Sequence, residues 1–128
     1  MISPRRTPLL DCSVVDLLDR FGERQPAPGA GAAAAITAAM AAGLLGMVAR
    51  FSTRQLIDSA RQAAHADRLR NQVAALAEQD GEAYQAVLDA LALPRELDPE
   101  GRDLQVRRTL ERAAQVPAEI AEAASGIA

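Results

Sequence analysis

Residues 29–52 read GAGAAAAITAAMAAGLLGMVARFS, and this segment decides the fold class. Alanine and glycine dominate it, and no charged residue occurs between Arg24 and Arg50. Small residues recur at four-residue spacing, which is typical of a helix that a second helix approaches closely. The length would also span a bilayer, but strongly apolar residues are few and no aromatic belt flanks the segment. We therefore predict no membrane insertion. We predict a helix buried on all sides, against the same bundle or a second subunit.

Composition limits the possible functions. The chain has 128 residues, a net charge of -3 and 49% apolar residues, which fits one domain with one core. All 14 basic residues are arginine, so lysine chemistry is excluded from any active site. No basic stripe is present, which argues against a nucleic-acid partner. Three aspartates interrupt any signal-peptide core near the N-terminus, so we expect a cytoplasmic protein.

One cysteine and one histidine offer little chemistry of their own. Cys12 has no second cysteine with which to form an internal disulfide. A pair of Cys12 with His65 is conceivable, but no local signature supports it. One Cys and one His do not make a transition-metal ligand set, so we expect no metal.

The helical period dominates the rest of the chain, and no segment alternates convincingly as a strand would. A first helix is predicted after the N-cap Ser13, with Asp16 three residues on. A long third helix is predicted over residues 53–91, and a last helix after Asp98 and Pro99. We predict an all-α antiparallel bundle of long helices around the Ala/Gly-rich helix. The apolar stripe predicted for the last helix contains Val106, Leu110, Ala113, Pro117, Ile120 and Ala124, with a kink at Pro117.

Asp80 interrupts an apolar stripe. Counting by threes and fours along the third helix leaves a gap between Leu76 and Tyr84, and Asp80 fills it. A carboxylate in such a stripe is costly unless it is paired or functional. It is therefore either a structural partner of an arginine or a general base in a pocket. Tyr84, one turn later, is more often a core residue than a ligand-stacking ring.

Two glycines precede the alanine run. Gly29 and Gly31 formally fit a loose dinucleotide fingerprint, but no strand precedes them and no βαβ unit surrounds them. What remains is a helix N-terminus whose free N–H groups favour an anion or a polar ligand edge. Alternatively, the Pro and Gly residues only shape the turn. These local features do not separate the two interpretations.

Three segments together resemble a known family. PAPGAGAAAAITAAMAAGLLGMVARFS, residues 26–52, is similar to a Pro-Thr-Pro-Gly-Gly-Gly stretch followed by an Ala-rich helix. EQDGEAYQAVLDALALPRE, residues 78–96, and LERAAQVPAEIAEAA, residues 110–124, are similar to its next two motifs, in the same order and at matching spacing. The chain thus resembles the cyclodeaminase/cyclohydrolase family, which includes methenyltetrahydrofolate cyclohydrolase and the cyclodeaminase domain of formiminotransferase-cyclodeaminase.

The resemblance implies a function. It implies an all-helical homodimer that acts on a tetrahydrofolate derivative. The reaction is hydrolysis of 5,10-methenyltetrahydrofolate to 10-formyltetrahydrofolate, or cyclodeamination of 5-formiminotetrahydrofolate. Both need proton transfer but no cofactor or metal. Asp80 matches the family's acidic position and is the expected catalytic base. The residues expected to bind substrate are Pro28, Gly29, Ala30, Gly31, Arg50, Ser52 and Tyr84.

The chain departs from the family pattern at several positions. Ala30 and Ala32 stand where the family has Gly and Ser or Gly, while Arg50 replaces Asn and Ser52 replaces Thr. The family's later helices have no counterpart here, so we expect one domain, 1–128, without them. Two alternatives stay open: a related enzyme with a different small substrate, and a non-catalytic helical interaction protein.

Overall fold

The structure is a computed structural model that describes residues 6–128. A 3₁₀ turn, Leu9–Asp11, is followed by four helices: α1 (Val14–Gly22), α2 (Ala30–Phe51), α3 (Ser59–Leu91) and α4 (Pro99–Ile127). Across residues 6–128 there is no β-strand. The all-α prediction is confirmed.

The three long helices form an antiparallel bundle. Near the start of α2, Gly31 lies against Asp80, while near its end Gly46 lies against Ala66, so α2 and α3 run in opposite directions. At the far end of α4, Gly126 lies against Leu69, which makes α4 antiparallel to α3 as well. The helix α3 therefore lies between α2 and α4.

The core is built from small aliphatic side chains. Ala32 and Ala35 of α2 are fully buried against α3 residues such as Val73, and α4 contributes Val116 and Ile120. From α1, Leu17 and Phe21 cover one end of this cluster. Because so many of these side chains are alanine, the helix backbones approach closely and leave little internal space.

Both predicted N-caps are present. The Ser13 hydroxyl accepts a hydrogen bond from the Asp16 amide at 3.1 Å and donates one to the Asp16 carboxylate at 2.6 Å. The Asp98 carboxylate accepts from the Gly101 amide at 3.0 Å, with Pro99 as the first helical residue. These contacts satisfy amides that the first helical turn leaves free.

Two boundaries differ from the sequence-based prediction. The helix α3 begins at Ser59 instead of residue 53, because residues 52–58 reverse the chain between antiparallel helices. Ser52 starts this reversal, and its carbonyl accepts from the amides of Gln55 and Leu56. On α4 the buried stripe runs through Val116 instead of Leu110, which is 52% exposed.

Within one copy of the chain, the helix α2 is buried on one face only, so burial on all sides, which was predicted against the same bundle or a second subunit, is not reached by the bundle alone. By length and composition it is the one helix in residues 6–128 that could cross a membrane, and 28% of its most apolar window is buried. Its exposed side includes Met40, Leu44 and Phe51.

Candidate active site

A cleft of about 300 Å³ lies between the loop before α2, the middle of α3 and α4. Asp80 and Tyr84 enter it from α3, one turn apart on the same face. Four of the predicted site residues therefore line this cleft: Gly29, Ala30, Asp80 and Tyr84. The complete lining is Pro26, Ala27, Gly29, Ala30, Asp80, Gly81, Tyr84, Ala113 and Pro117.

The contact between Gly31 and Asp80 sets the geometry of this cleft. The Asp80 carboxylate lies directly against the Cα atom of Gly31, 49 residues away in sequence. A Cβ atom at position 31 would lie 2.6 Å from Oδ2 of Asp80, which is shorter than side-chain contacts allow. Only glycine leaves room for the carboxylate at this point. The second predicted glycine is thus explained by close approach, since its φ is not positive.

The surroundings of Asp80 bear on the interpretation that pairs this residue with an arginine. No arginine in residues 6–128 forms an ion pair with it, so the structural ion pair is absent from the described part of the chain. The carboxylate is half-buried and faces the cleft. It also lies beside the first turn of α2, where the helix dipole favours a negative charge. A half-buried carboxylate without a cation is available to a ligand.

The start of α2 supplies hydrogen-bond donors near Asp80. The first bond inside the helix runs from the Ala33 amide to the Gly29 carbonyl at 3.1 Å. The amides of Ala30, Gly31 and Ala32 precede that bond and have no partner within the helix. Such amides suit a polar ligand edge.

Pro28 and Tyr84 have different positions. Pro28 is buried and lines a neighbouring groove beside Glu78, so it supports the turn but does not enter the cleft. Tyr84 is 45% exposed, with its side chain at the cleft. An exposed ring there can cover a flat ligand, which a core tyrosine could not do.

Arg50 and Ser52 do not join this cleft within one copy of the chain. They lie at the C-terminal end of α2, about 30 Å from its start, since a helix rises about 1.5 Å per residue. Arg50 forms an ion pair with Asp67 of α3. Ser52 ends the helix, and its amide donates to the Val48 carbonyl at 3.0 Å. Their predicted role in substrate binding stays a prediction.

Sequence analysis missed two polar residues that hold the bundle around the cleft. Glu78 accepts a hydrogen bond from the Leu9 amide, which ties the N-terminal turn to α3. The guanidinium of Arg102 is buried and donates to the carbonyls of Leu91 and Leu93, each at 2.9 Å. The carbonyls at the end of a helix need such donors, but nothing in the sequence indicates which arginine supplies them.

The remaining candidate groups lie away from the cleft. The Cys12 thiol accepts a hydrogen bond from Arg20 at 3.0 Å. His65 is exposed near the start of α3, at the opposite end of the bundle, so the two do not form a catalytic pair. Within the described range, no three His, Cys, Asp or Glu side chains are grouped to hold a metal.

Comparison with known proteins identifies the family of the chain. The family model described as formiminotransferase-cyclodeaminase matches residues 13–128, which include the whole cleft. The chain belongs to this family. Its match begins at the N-cap of α1 and runs through the end of α4.

Individual relatives cover the chain well but are longer than it. The formimidoyltransferase-cyclodeaminase of Mus musculus is 33% identical over 131 residues, 91% of this chain and 23% of the relative. The methenyltetrahydrofolate cyclohydrolase of Methylorubrum extorquens is 30% identical over 113 residues, 82% of this chain and 54% of the relative. The chain thus spans about a quarter and about half of these two relatives. No solved structure matches the chain significantly.

Proposed function

We propose that this family member carries out one-carbon chemistry on a tetrahydrofolate derivative in the Asp80 cleft. The reaction is hydrolysis of 5,10-methenyltetrahydrofolate, or cyclodeamination of 5-formiminotetrahydrofolate, and it uses no metal or redox cofactor. The supporting observation is the cation-free Asp80 carboxylate, which lies against Gly31 beside the free amides of α2. One of the two relatives is named as a cyclodeaminase and the other as a methenyltetrahydrofolate cyclohydrolase, which agrees with these two reactions.

The hydrolysis requires one proton to be taken up and another to be delivered. Asp80 accepts a proton from a water molecule while the water oxygen forms a bond to the amidinium carbon of the substrate. The tetrahedral intermediate then breaks its bond between carbon and N5, and N5 takes up the proton held by Asp80. The hydroxyl proton is released to solvent as the C=O bond forms, and the formyl group stays on N10. The free amides at the start of α2 hold polar atoms of the substrate, and Tyr84 covers its ring system.

Cyclodeamination uses the same groups. N10 attacks the formimino carbon and loses its proton to the base, and the C–N bond to the departing nitrogen breaks. That nitrogen, an imine NH in the substrate, takes up two protons in all, one returned by Asp80 and one from solvent, and leaves as ammonia, while 5,10-methenyltetrahydrofolate forms as the cationic product. One carboxylate that accepts and returns a proton can serve hydrolysis and cyclodeamination alike. The cleft alone therefore does not favour either reaction.

The first experiment follows the absorbance of 5,10-methenyltetrahydrofolate with the wild-type protein and with Asp80→Asn. We expect wild type to accelerate hydrolysis above buffer and Asp80→Asn to lower kcat about 10²- to 10⁴-fold, the usual contribution of a general base. Glu82→Gln is the matched control, because Glu82 is an exposed carboxylate on the same helix outside the cleft. Its rate should equal that of wild type.

The other outcomes identify the alternatives. A folded wild-type protein that releases ammonia from 5-formiminotetrahydrofolate, but does not hydrolyse the methenyl compound, is a cyclodeaminase. A folded protein that neither converts nor binds either compound would contradict the folate proposal. That result would favour a different substrate or a non-catalytic role. If Asp80→Asn is as fast as wild type, the assignment of the base is wrong. The homodimer that the family resemblance implies is part of the proposal.

A further inference from the structure

The helix α4 contains an interior proline to which the reaction described above gives no role. Pro117 lies inside α4, which continues as one helix from Pro99 to Ile127. Because proline has no amide N–H, the carbonyl four residues earlier loses its regular helical hydrogen bond. That carbonyl belongs to Ala113. One acceptor in the middle of α4 is therefore left without its usual partner.

This acceptor lies on the cleft side of α4. Ala113 and Pro117 are one turn apart, and both line the cleft that holds Asp80. The missing bond would run between these two residues, so the Ala113 carbonyl lies on the face that they share. The ring of Pro117 also forces this carbonyl away from its helical position. No side chain in residues 6–128 donates a hydrogen bond to it.

The two sides of the cleft therefore offer opposite hydrogen-bonding groups. The start of α2 presents free amides, which are donors, and α4 presents a carbonyl, which is an acceptor. Asp80 enters the same cleft from α3, the helix that lies between them. A ligand that satisfies both sides has an acceptor on its edge towards α2 and a donor on its edge towards α4.

The pterin ring of a tetrahydrofolate derivative carries both groups. Its 4-oxo oxygen is an acceptor next to N5, and its 2-amino group is a donor farther from N5 on the same ring. When the 4-oxo oxygen binds the α2 amides, N5 comes close to Asp80, because the Asp80 carboxylate lies against Gly31. The 2-amino group is then directed away from the reacting carbon, towards the other side of the cleft.

We propose that the Ala113 carbonyl, freed by Pro117, accepts a hydrogen bond from the 2-amino group and so fixes the orientation of the pterin ring. This inference rests on the proposed function and adds a specificity-determining group to it. A backbone acceptor has no side-chain rotamers to restrict, so binding it costs little conformational entropy. A ligand without the donor leaves the carbonyl unpaired in the cleft and is bound less well.

The substitution Pro117→Ala tests the freed carbonyl. Alanine restores the N–H at position 117, which returns the Ala113 carbonyl to the helix. We expect a higher urea midpoint together with a KM for 5,10-methenyltetrahydrofolate that is about 3- to 10-fold higher, at nearly unchanged kcat. The matched control is Pro99→Ala, because a proline at the first position of a helix frees no carbonyl. Its KM should equal that of wild type.

A proline that only shapes α4 would give a different result. Its replacement would then change stability and leave KM at the wild-type value, which would overturn the inference. A fall in kcat at unchanged KM would assign the carbonyl to the attacking water and would overturn the contact with the 2-amino group as well.

A substrate analogue identifies the contact itself. The 2-desamino-2-methyl form of 5,10-methenyltetrahydrofolate keeps the 4-oxo oxygen but lacks the 2-amino donor. Wild type should use it with a kcat/KM about 3- to 10-fold lower than that of the natural compound. Pro117→Ala should use the two compounds equally well, because either change removes the same hydrogen bond. If both proteins discriminate equally between the compounds, the 2-amino group does not bind the Ala113 carbonyl.

NMR of the Ala113 carbonyl carbon separates this inference from the proposed function. Without any ligand, the carbon signal should move downfield from wild type to Pro117→Ala, because the carbonyl then accepts a helical hydrogen bond. An unchanged signal would show that the carbonyl is not free, and would overturn the inference even in an active enzyme. The expected shift in a wild-type protein that neither binds nor converts the folate compounds would contradict the proposed function and the 2-amino contact, and would confirm only the free carbonyl.

Discussion

Replacing Gly31 with alanine should affect the catalytic rate much more than the stability of the bundle. The new Cβ atom would lie 2.6 Å from Oδ2 of Asp80, whereas ordinary contact begins at 3.4 Å. The backbone of α2 is held by its packing on α3, so the carboxylate has to move. It can do so by rotating its own side chain, which displaces it by about 1 Å from its place in the cleft.

The two effects of this substitution differ in size. Relief of the overlap costs about 1–3 kcal/mol of unfolding free energy, and alanine returns up to about 1 kcal/mol through its higher helix propensity. The net loss of stability is therefore about 0–3 kcal/mol. A displacement of about 1 Å at a catalytic group costs about 10²-fold in rate. Gly31→Ala should thus stay folded and lose about 100-fold in kcat.

The assay pairs chemical denaturation with methenyl-folate hydrolysis at one protein concentration, because a dimer makes stability depend on concentration. Gly43→Ala is the matched control in the same helix, where a Cβ would meet only the Arg70 Cδ at 3.9 Å. It should gain stability and keep its activity. In an Asp80→Asn background, Gly31→Ala should cause no further loss of rate, since the two changes act on one group.

Wild-type kcat in a folded Gly31→Ala protein would refute this reasoning. It would mean that the position of the carboxylate against Gly31 has no bearing on the reaction. A further 100-fold loss in the Asp80→Asn background would refute it as well, because the glycine would then act through a group other than Asp80.

Two further predictions concern the bundle that holds the cleft. Arg102→Ala should lower the free energy of unfolding by about 2–3 kcal/mol, because two charge-assisted hydrogen bonds to the end of α3 are lost. The control Arg107→Ala, at an exposed arginine, should change the free energy of unfolding by less than about 0.5 kcal/mol. Equal effects of the two substitutions in urea denaturation would show that Arg102 does not hold the end of α3. Val116→Ala, at a fully buried side chain, should lower the free energy of unfolding by about 2–3 kcal/mol. Leu110→Ala, at a half-exposed side chain, should lower it clearly less. If Leu110→Ala were the more destabilising of the two, the face of α4 that carries Leu110 would be the buried one.

The sequence predicted the helices because the interactions that form them are local. Ser13 and Asp98 each cap an amide three residues away, and the helical period of apolar residues needs no distant partner. The family resemblance depended on short motifs of the same kind. The position of Asp80 in its stripe also followed from counting along one helix.

Packing decided what local patterns could not. Leu110 and Val116 both fit an apolar stripe, and only the direction in which α4 faces α3 determined that Val116 is buried. The start of α3 shifted to Ser59 because a reversal between antiparallel helices requires several residues. Asp58, the N-cap of α3, is of a type favoured at that position, but its side chain makes no capping hydrogen bond.

The sequence by itself therefore determined that the chain is helical, where two of its helices start, and which carboxylate interrupts an apolar face. The tertiary structure alone decided that this carboxylate lies against Gly31, 49 residues away, and forms no ion pair with an arginine of residues 6–128. It also decided that Arg50 pairs with Asp67 of α3 at the far end of α2. Helix formation depends on neighbours three and four residues apart, whereas a site depends on which faces of separate helices meet.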